Sequence, residues 1–267
     1  VTETLSSGST GTVVNDGGAD IDFRVESNSK THMLFVDAGT DRVGINESSP
    51  DARLHISDSA QASSFVRIEN TGSHEGSIQF KTAHSAASDY RLGASISESN
   101  NFELFNVDAD TGFIKVGPEG AVRMPTQPSF HVVKNADQNN IAVGSNVTVV
   151  WQVESYDVGA NFASNTFTAP VAGKYIFTAS IRVDSLDSTA SEHNDMAIVT
   201  SNRSYKNIFD LRGLSADPTY WTFTINAVAD MDAGDTAYVQ FYQDGGTAQS
   251  DIKNDSGRTY FSGILVG

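Results

Sequence analysis

Histidine and cysteine, which often carry metal or nucleophilic chemistry, form no catalytic pattern in this sequence. Six histidines stand at positions 32, 55, 74, 84, 131 and 193, without the spacing of a ligand set. The pair His74-Glu75 lacks the second histidine of a zincin helix, and neither a Gly-x-Ser-x-Gly elbow nor a phosphate loop occurs. The absence of cysteine excludes disulfides, zinc–thiolate sites and cysteine nucleophiles.

Paired carboxylates are the remaining residues that could do acid–base chemistry. Asp232 and Asp235 form one pair, and Asp108 and Asp110 form another. A glycan hydrolase uses two such groups as acid and base or nucleophile. Both pairs stand beside Gly and Thr, where Asp more often forms turns. We therefore predict that the protein is not an enzyme, with a glycan-degrading tailspike-type enzyme as an alternative.

A cluster of acidic residues between positions 184 and 195 could hold a cation. Hard cations prefer oxygen ligands, so this predicted loop is a candidate Ca²⁺ site, although its spacing is not that of an EF-hand. The alternative is a solvated acidic loop, and no other cofactor is expected. The four candidate ligands are Asp184, Asp187, Glu192 and Asp195.

The overall charge limits the partners of the chain. The net charge is −16, and the acidic residues are spread over both halves. Phosphate binding needs clustered Lys and Arg, so we expect no nucleic-acid partner. No apolar run is long enough to cross a bilayer, and residues 1–16 lack a signal pattern, so we expect no membrane insertion. The chain begins at Val1 rather than Met, which we interpret as a fragment or the processed part of a longer protein.

The elements that would have to position any site are strands. Residues 175–183 alternate cleanly: Tyr175, Phe177 and Ile181 share one face with Ala179 and Val183. Turns rich in Gly, Asn, Asp and Ser separate such segments, and no stretch of a dozen residues has a helical apolar period. One short helical turn is conceivable near residues 57–63. The pattern predicts an all-β protein.

A weak repeat and a proline-rich stretch divide the chain. Residues 36–41 are echoed by residues 107–112, and each copy predicts a tight turn between two strands. Three of the six prolines lie between residues 117 and 128, which is typical of a connector. We therefore predict an N-terminal β shaft module at 1–57, a second β shaft module at 58–125 and a jelly-roll β-sandwich head at 126–267.

The last part of the chain resembles a known family of trimeric heads. Residues 167–177 contain the order aromatic–Thr–Ala–Pro–x–x–Gly–x–Tyr–x–Phe, Gly234-Asp235 precedes a strand, and residues 261–265 read Phe-Ser-Gly-Ile-Leu. This resembles the globular head of complement component one-q and the wider tumour-necrosis-factor-like jelly rolls. The resemblance implies a tight homotrimer, with Phe130, Phe261 and Leu265 near the threefold axis. The alternative for these residues is an intramolecular core.

The first half resembles the shaft segments of tailed-bacteriophage fibres. The resemblance rests on residues 20–26, 34–45 and 48–56, and on residues 120–130, which look like the joint that leads into a fibre head. Such shafts are trimeric, because short strands from three chains bury a core that one chain cannot. The resemblance implies a phage tail-fibre protein on the virion, outside the cell, made in the cytoplasm of the bacterial host.

These resemblances imply a function in adhesion. We expect the head to recognise a bacterial surface glycan or outer-membrane protein, and the shaft to join other virion tail proteins. A structural fibre or decoration protein without a receptor site is an alternative. Proteins hold sugars by aromatic stacking and hydrogen bonds, so exposed aromatic and polar residues of the head are candidates. The candidate receptor-binding residues are Tyr205, Asp217, Tyr220, Trp221, Tyr242 and Gln249.

Overall fold

The protein is all-β, which confirms the fold class predicted from the sequence. A computed structural model describes residues 5–8, 11–14, 18–57, 66–71, 75–81, 88–188 and 191–267. Within those ranges every regular element is a strand, so none of them contains a helix able to span a bilayer. The helical turn considered near residues 57–63 falls almost entirely outside the described residues.

The chain divides into two compact units, residues 1–76 and residues 77–267. In the first unit β1 (Leu5–Gly8) and β2 (Gly11–Val14) form an antiparallel pair. A four-stranded sheet follows, here called the first small sheet, in the order β3-β4-β5-β6. Its strands are β3 (Phe23–Val25), β4 (Leu34–Asp37), β5 (Arg42–Ile45) and β6 (Leu54–Ile56), and only the β5–β6 pair is parallel.

One face of the first small sheet is entirely apolar and uncovered. The register places Phe23, Val36, Val43 and Leu54 in one row across the four strands. Side chains two residues along a strand share a face, and none of these apolar residues is buried. The opposite face is covered by the loop after β5, and Phe35 there is only 7% exposed. The apolar face consists of Phe23, Val25, Leu34, Val36, Val43, Ile45, Leu54 and Ile56.

A five-stranded sheet, the second small sheet, has the order β11-β10-β9-β8-β7. It comprises β7 (Gly76–Phe80), β8 (Tyr90–Ala94), β9 (Phe102–Asn106), β10 (Thr111–Val116) and β11 (Val122–Arg123). It too has an uncovered apolar face, on which Phe102 is 50% and Val122 64% exposed. The register groups on this face Leu92, Ala94, Phe102, Leu104, Ile114, Val116 and Val122.

The other face of the second small sheet is organised by a buried carboxylate. Glu103 accepts hydrogen bonds from the Ser97 hydroxyl at 2.5 Å and from the backbone N–H groups of Ser97 and Glu98 at 3.1 and 2.9 Å. Burial raises the pKa of Glu103, but these hydrogen bonds and nearby Lys115 outweigh it and hold the pKa below its ordinary value. The carboxylate thus fixes the turn between β8 and β9 against this face.

The two copies of the sequence repeat both form hairpin turns, but their structural register differs from the sequence register. Thr40 donates its backbone N–H to Asp37 Oδ1, and Asp108 donates to Asn106 Oδ1, each at 3.0 Å. Asp41 and Asp110 close the turns with φ of 57° and 49°. Equivalent residues are therefore 69 positions apart, from 37 to 106 and from 41 to 110, whereas the sequence match pairs residues 71 apart.

Residues 129–265 form a jelly-roll sandwich of two facing sheets, which confirms the predicted head fold. The front sheet has the order β14-β12-β23-β17-β20, with β22 beside β17, and the back sheet has the order β15-β16-β21-β18-β19, with β13 beside β21. The strands are β12 (Ser129–Val133), β13 (Val147–Thr148), β14 (Val153–Val158), β15 (Phe162–Ala163), β16 (Thr166–Thr168), β17 (Gly173–Asp184), β18 (Ser191–Thr200), β19 (Ser204–Phe209), β20 (Tyr220–Met231), β21 (Thr236–Gly245), β22 (Asp251–Ile252) and β23 (Tyr260–Leu265).

The head core is aromatic and lies between the two sheets. The ring of Phe130 lies 4.9 Å from the rings of Phe162, Phe167 and Phe261, measured between centroids. Gly263 makes room for this packing, because a Cβ there would lie 2.5 Å from Cε1 of Phe130. The alternation predicted for residues 175–183 is confirmed, since all five inward side chains are fully buried.

Candidate functional site

The middle of the outer face of the front sheet is a broad surface without Lys, Arg, Asp or Glu. Strand register defines three adjacent rows across it. In the most apolar row Val228 is 60%, Ile264 44% and Ile176 40% exposed. The three rows, here called the uncharged front face, contain Val158, Ser129, Ile264, Ile176 and Val228; then Tyr156, His131, Ser262, Thr178 and Asn226; then Val133, Tyr260, Ser180 and Thr224.

His131 supplies the imidazole ring of that face and lies in an aromatic group. Its ring stacks on Tyr156 with centroids 6.0 Å apart, and the ring of Tyr260 lies 5.7 Å away on the other strand. Nδ1 of His131 is 2.6 Å from the hydroxyl oxygen of Ser262, in a hydrogen bond whose direction depends on the tautomer. Flat rings and short hydroxyl side chains give this face the chemistry of a contact surface.

A charged pocket adjoins the uncharged front face where β17 ends and β20 begins. It is open to solvent, has a volume of about 330 Å³, and is lined by Arg182, Tyr220, Thr222 and Arg258. Arg182 donates to both carboxylate oxygens of Asp184, at 3.0 and 3.1 Å. Its guanidinium carbon lies 5.3 Å from the centre of the Tyr220 ring, a cation–π contact. We call this group the arginine pocket.

Asp255 ties the two arginines of the pocket together. Its Oδ2 accepts from Nη1 of Arg258 at 2.6 Å and from Nη1 of Arg182 at 3.3 Å. These contacts, led by the one to Arg258, hold the pKa of Asp255 below its ordinary value, and the bonds to Asp184 and Asp255 raise the pKa of Arg182. Asp255 and Arg182 are therefore charged at neutral pH, and the side chains of Asp255, Arg182 and Arg258 restrain one another.

Three of the six predicted receptor residues lie near one another at the loop end of the head. Tyr220 and Trp221 begin β20 and are 64% and 41% exposed, and Tyr220 lines the arginine pocket. Asp217 precedes them in the loop and accepts from the backbone N–H and the hydroxyl of Ser188, at 2.8 and 2.7 Å. Asp217 thus holds two loops together.

The other three predicted receptor residues are spread over the head. Tyr205 on β19 packs against the core and donates its hydroxyl to the carbonyl of Val228 at 3.1 Å. Tyr242 lies on the back sheet and donates to Asp244 at 3.1 Å. Gln249 donates to the carbonyl of Ile141 at 3.3 Å. The structure therefore does not unite the six residues into one site.

The four predicted calcium ligands are not brought together. Asp184 binds Arg182, buried Asp187 accepts from the backbone N–H of Thr247 at 3.0 Å, and buried Asp195 pairs with Lys206 at 3.1 Å. Glu192 and Asp195 lie on strand β18, so the predicted loop between 184 and 195 is shortened to the residues between β17 and β18. The described part of the chain contains no group of three His, Asp or Glu side chains arranged to hold a metal.

The residues predicted to line a threefold axis lie mainly inside the chain. Phe130 and Phe261 are fully buried in the intramolecular core, so their side chains cannot touch another copy. Their strands do lie in the front sheet, but with these two side chains on the inner face, as the alternative reading of the sequence allowed. Leu265 is partly buried and packs against the same core. A contact between the front sheet and another copy would instead be made by the outward-facing residues next to Phe130 and Phe261 in the chain.

Sequence reasoning missed both the arginine pocket and the uncharged front face. Arg182 and Asp255 are far apart in the chain and meet only because β22 and β23 return alongside β17. The alternation of residues 175–183 already pointed Arg182 outward, but it gave no indication of its partners. The lack of charge on the outward positions of β12 and β23, and on residues 176, 178 and 180 of β17, was a signal that could have been found.

Comparisons with known proteins find likeness in shape only. No known family model matches the chain, and no curated protein matches it. Among solved structures, the globular domain of a zebrafish complement 1qA protein aligns with 53% of this chain and 98% of its own, at 16% identity and a TM-score of 0.38. Murine APRIL at pH 8.0 aligns with 52% of this chain and 99% of its own, at 14% identity and the same TM-score. The jelly-roll assignment rests on the strand order given above.

Proposed function

We propose that this chain is the distal part of a homotrimeric fibre that adheres to a cell surface through its C-terminal head, without catalysis. The observation that carries the proposal is the pair of small sheets, each with one uncovered apolar face. A stable sheet buries its apolar face against another layer. Among the described residues of one chain neither of these faces is buried: Leu54 is 59% exposed and Val122 is 64% exposed.

Further copies of the same chain are the simplest cover for these faces. Each small sheet leaves the same kind of surface open, so association of copies of the chain could cover each of them. A sheet that is apolar on one face is stable only when that face is buried against another element. The absence of cysteine removes disulfides as another source of robustness, and association of copies supplies one.

The head supports the same assembly. The uncharged front face is unusual on a chain with a net charge of −16, because charged side chains are depleted mainly where surfaces are buried in contacts. The exposed Ile and Val side chains at its centre would gain from burial. Three copies, rather than two, follow from the sequence resemblance of residues 167–177 and 261–265 to trimeric heads.

More specifically, we propose that the fibre is a bacteriophage tail fibre. The shaft-like residues 20–56 and the joint-like residues 120–130 support it. On this proposal the protein is part of the virion, is made in the bacterial cytoplasm, joins other tail proteins and binds a bacterial surface glycan or outer-membrane protein. Three heads on one fibre would let weak single contacts hold a particle through avidity.

One carboxylate of each candidate catalytic pair is engaged by the backbone of its own chain, which supports adhesion over hydrolysis. Asp235 accepts from the backbone N–H of Asp232 at 2.9 Å and from the side-chain amide of Asn202 at 2.7 Å. Asp108 accepts from the backbone N–H of Asp89 at 2.8 Å. Carboxylates that hold turns in this way are structural.

The first experiment is the mass of the native particle by light scattering, with and without a chelator of divalent cations. A mass of three chains in both conditions supports the fibre. Dissociation by the chelator would instead support the hypothesis that a calcium ion stabilises the trimer. A monomer would refute the assembly, because the two small sheets would then have no cover.

Adhesion is tested separately, by incubating the labelled trimer with a panel of bacterial strains. Saturable binding to some strains supports recognition, whereas a trimer that binds none of them would favour a structural fibre protein. Shortening of purified surface polysaccharide by the trimer would instead support the tailspike-type enzyme.

A further inference from the structure

We propose that the arginine pocket binds a neutral saccharide residue, with Tyr220 as its stacking platform. This inference rests on the proposed adhesive function and names the ligand class of the head. The pocket's volume of about 330 Å³ lies at the lower end of the range for small-ligand sites, which suits a single sugar ring. Its lining combines the phenol ring of Tyr220, the hydroxyl of Thr222 and the guanidinium groups of Arg182 and Arg258.

Tyr220 offers the apolar surface that a sugar ring needs. It is 64% exposed at the start of the edge strand β20, and the guanidinium carbon of Arg182 lies 5.3 Å from the centre of its ring. A phenol ring has few rotatable bonds, so little conformational entropy is lost when a ligand stacks on it. The ring is thus both accessible and fixed.

The polar groups around Tyr220 match the hydroxyl groups of a sugar. Asp184 and Asp255 carry carboxylate oxygens that can accept from hydroxyls, while Thr222 can both donate and accept. The side chain of Arg258 is 61% exposed and uses Nη1 for Asp255, which leaves its other N–H groups directed to solvent. Because Arg182 is held by two carboxylates, the pocket is organised before a ligand arrives.

Charge balance favours a neutral ligand over an acidic one. The two guanidinium groups are matched by the carboxylates of Asp184 and Asp255, so the pocket has no excess positive charge. The whole chain carries −16, which repels anions at long range. A uronic or sialic acid would therefore bring its negative charge beside Asp184 and Asp255, with no unbalanced cation to offset it.

The pocket lies beyond the surface assigned to contact between copies. The uncharged front face ends at the row of Ser180 and Thr224. Arg182 and Thr222 form the next outward row towards the loop end, and this is where charge begins. Trimer formation on the uncharged rows therefore leaves the pocket open.

The test is ligand-observed saturation-transfer NMR on the full-length chain. The probes are methyl glycosides of glucose, galactose, mannose and N-acetylglucosamine, with glucuronic acid and N-acetylneuraminic acid as acidic probes. We expect transfer to at least one neutral glycoside and weaker or no transfer to the acids. Tyr220→Ala should weaken binding about tenfold or more, equal to ~1.4 kcal/mol, whereas Tyr220→Phe should retain it.

A matched pair of arginine variants locates the site. Arg258→Ala should weaken binding, whereas Arg212→Ala should not, because Arg212 forms a similar exposed pair with Asp210 at 2.8 Å outside the pocket. Equal losses in both variants would refute the assigned pocket, as would binding of the acids alone. Cell binding by a trimer that takes up none of the neutral probes would refute this inference while leaving adhesion intact. Loss of cell binding altogether would refute the proposed function.

Discussion

Replacing Val228 by Asp tests whether the uncharged front face joins copies of the chain. Val228 is 60% exposed and pairs with Ile176 in the most apolar row. In an isolated chain such a surface substitution changes the free energy of unfolding by only about 0.5 kcal/mol. A Val228→Asp variant that is folded but monomeric is therefore the expected result.

The magnitude in the trimer is much larger than in the monomer. Burying a whole Val side chain contributes ~1.5–3 kcal/mol, so covering the exposed part of Val228 contributes about 1 kcal/mol in each chain and about 3 kcal/mol in three. Burying a carboxylate without a partner adds a desolvation cost of several kcal/mol per chain. Three copies together would lower the association constant by many orders of magnitude.

The assay is light scattering, combined with thermal unfolding followed by circular dichroism. The matched control is Ile208→Asp, because Ile208 is 62% exposed but lies on β19 of the back sheet. The control should keep the mass of three chains. A Val228→Asp variant that keeps that mass, or a control that loses it, would refute the placement of the interface on the front sheet.

Three further predictions concern the interior. Burial lowers the pKa of Lys134 from 10.5 to about 8. Between these pH values the unfolded chain binds more protons than the folded chain, so the free energy of unfolding should rise with pH, by at most about 3 kcal/mol. Lys134→Met should abolish this rise, as measured by denaturant unfolding from about pH 8 to 10.5. Gly263→Ala forces the ring of Phe130 to move and should cost ~1–3 kcal/mol in chemical denaturation, whereas Gly213→Ala, with no atom within 4 Å, should be nearly neutral. Glu103→Gln should lower the free energy of unfolding at neutral pH by about 2 kcal/mol. The wild type should lose stability as the pH falls through the lowered pKa of Glu103, and the variant should not, as measured by the melting temperature at decreasing pH. Equal acid sensitivity of the Glu103→Gln variant would contradict the role of this carboxylate.

The sequence was sufficient where alternation is strong and flanking turns are clear. The strand predicted at residues 175–183 is the central part of β17, and the proline-rich connector ends where β12 begins at Ser129. These features depend on local patterns of side chains, which a single sequence contains. The two hairpin turns at residues 38–41 and 107–110 were predicted for the same reason.

The sequence failed where the deciding contact is distant in the chain. Residues 191–195 read as an acidic loop, yet they begin β18 because Asp195 pairs across the sheet with Tyr242. The inward direction of Phe130 depends on the space left by Gly263, which is more than a hundred residues away. The arginine pocket likewise needs three strands to converge, so no local pattern could predict it.

The way the chain enters the head determines how the head would respond to a pulling force. Strand β12 follows the connector directly, and its five residues pair with β14 on one side and β23 on the other. The arginine pocket lies at the opposite end of the same sheet, so tension between the connector and a bound surface would run along the strands. The hydrogen bonds are perpendicular to that direction and would be loaded together in shear, rather than opened one at a time. A head anchored in this way would resist the force until β12 slid as a whole between β14 and β23.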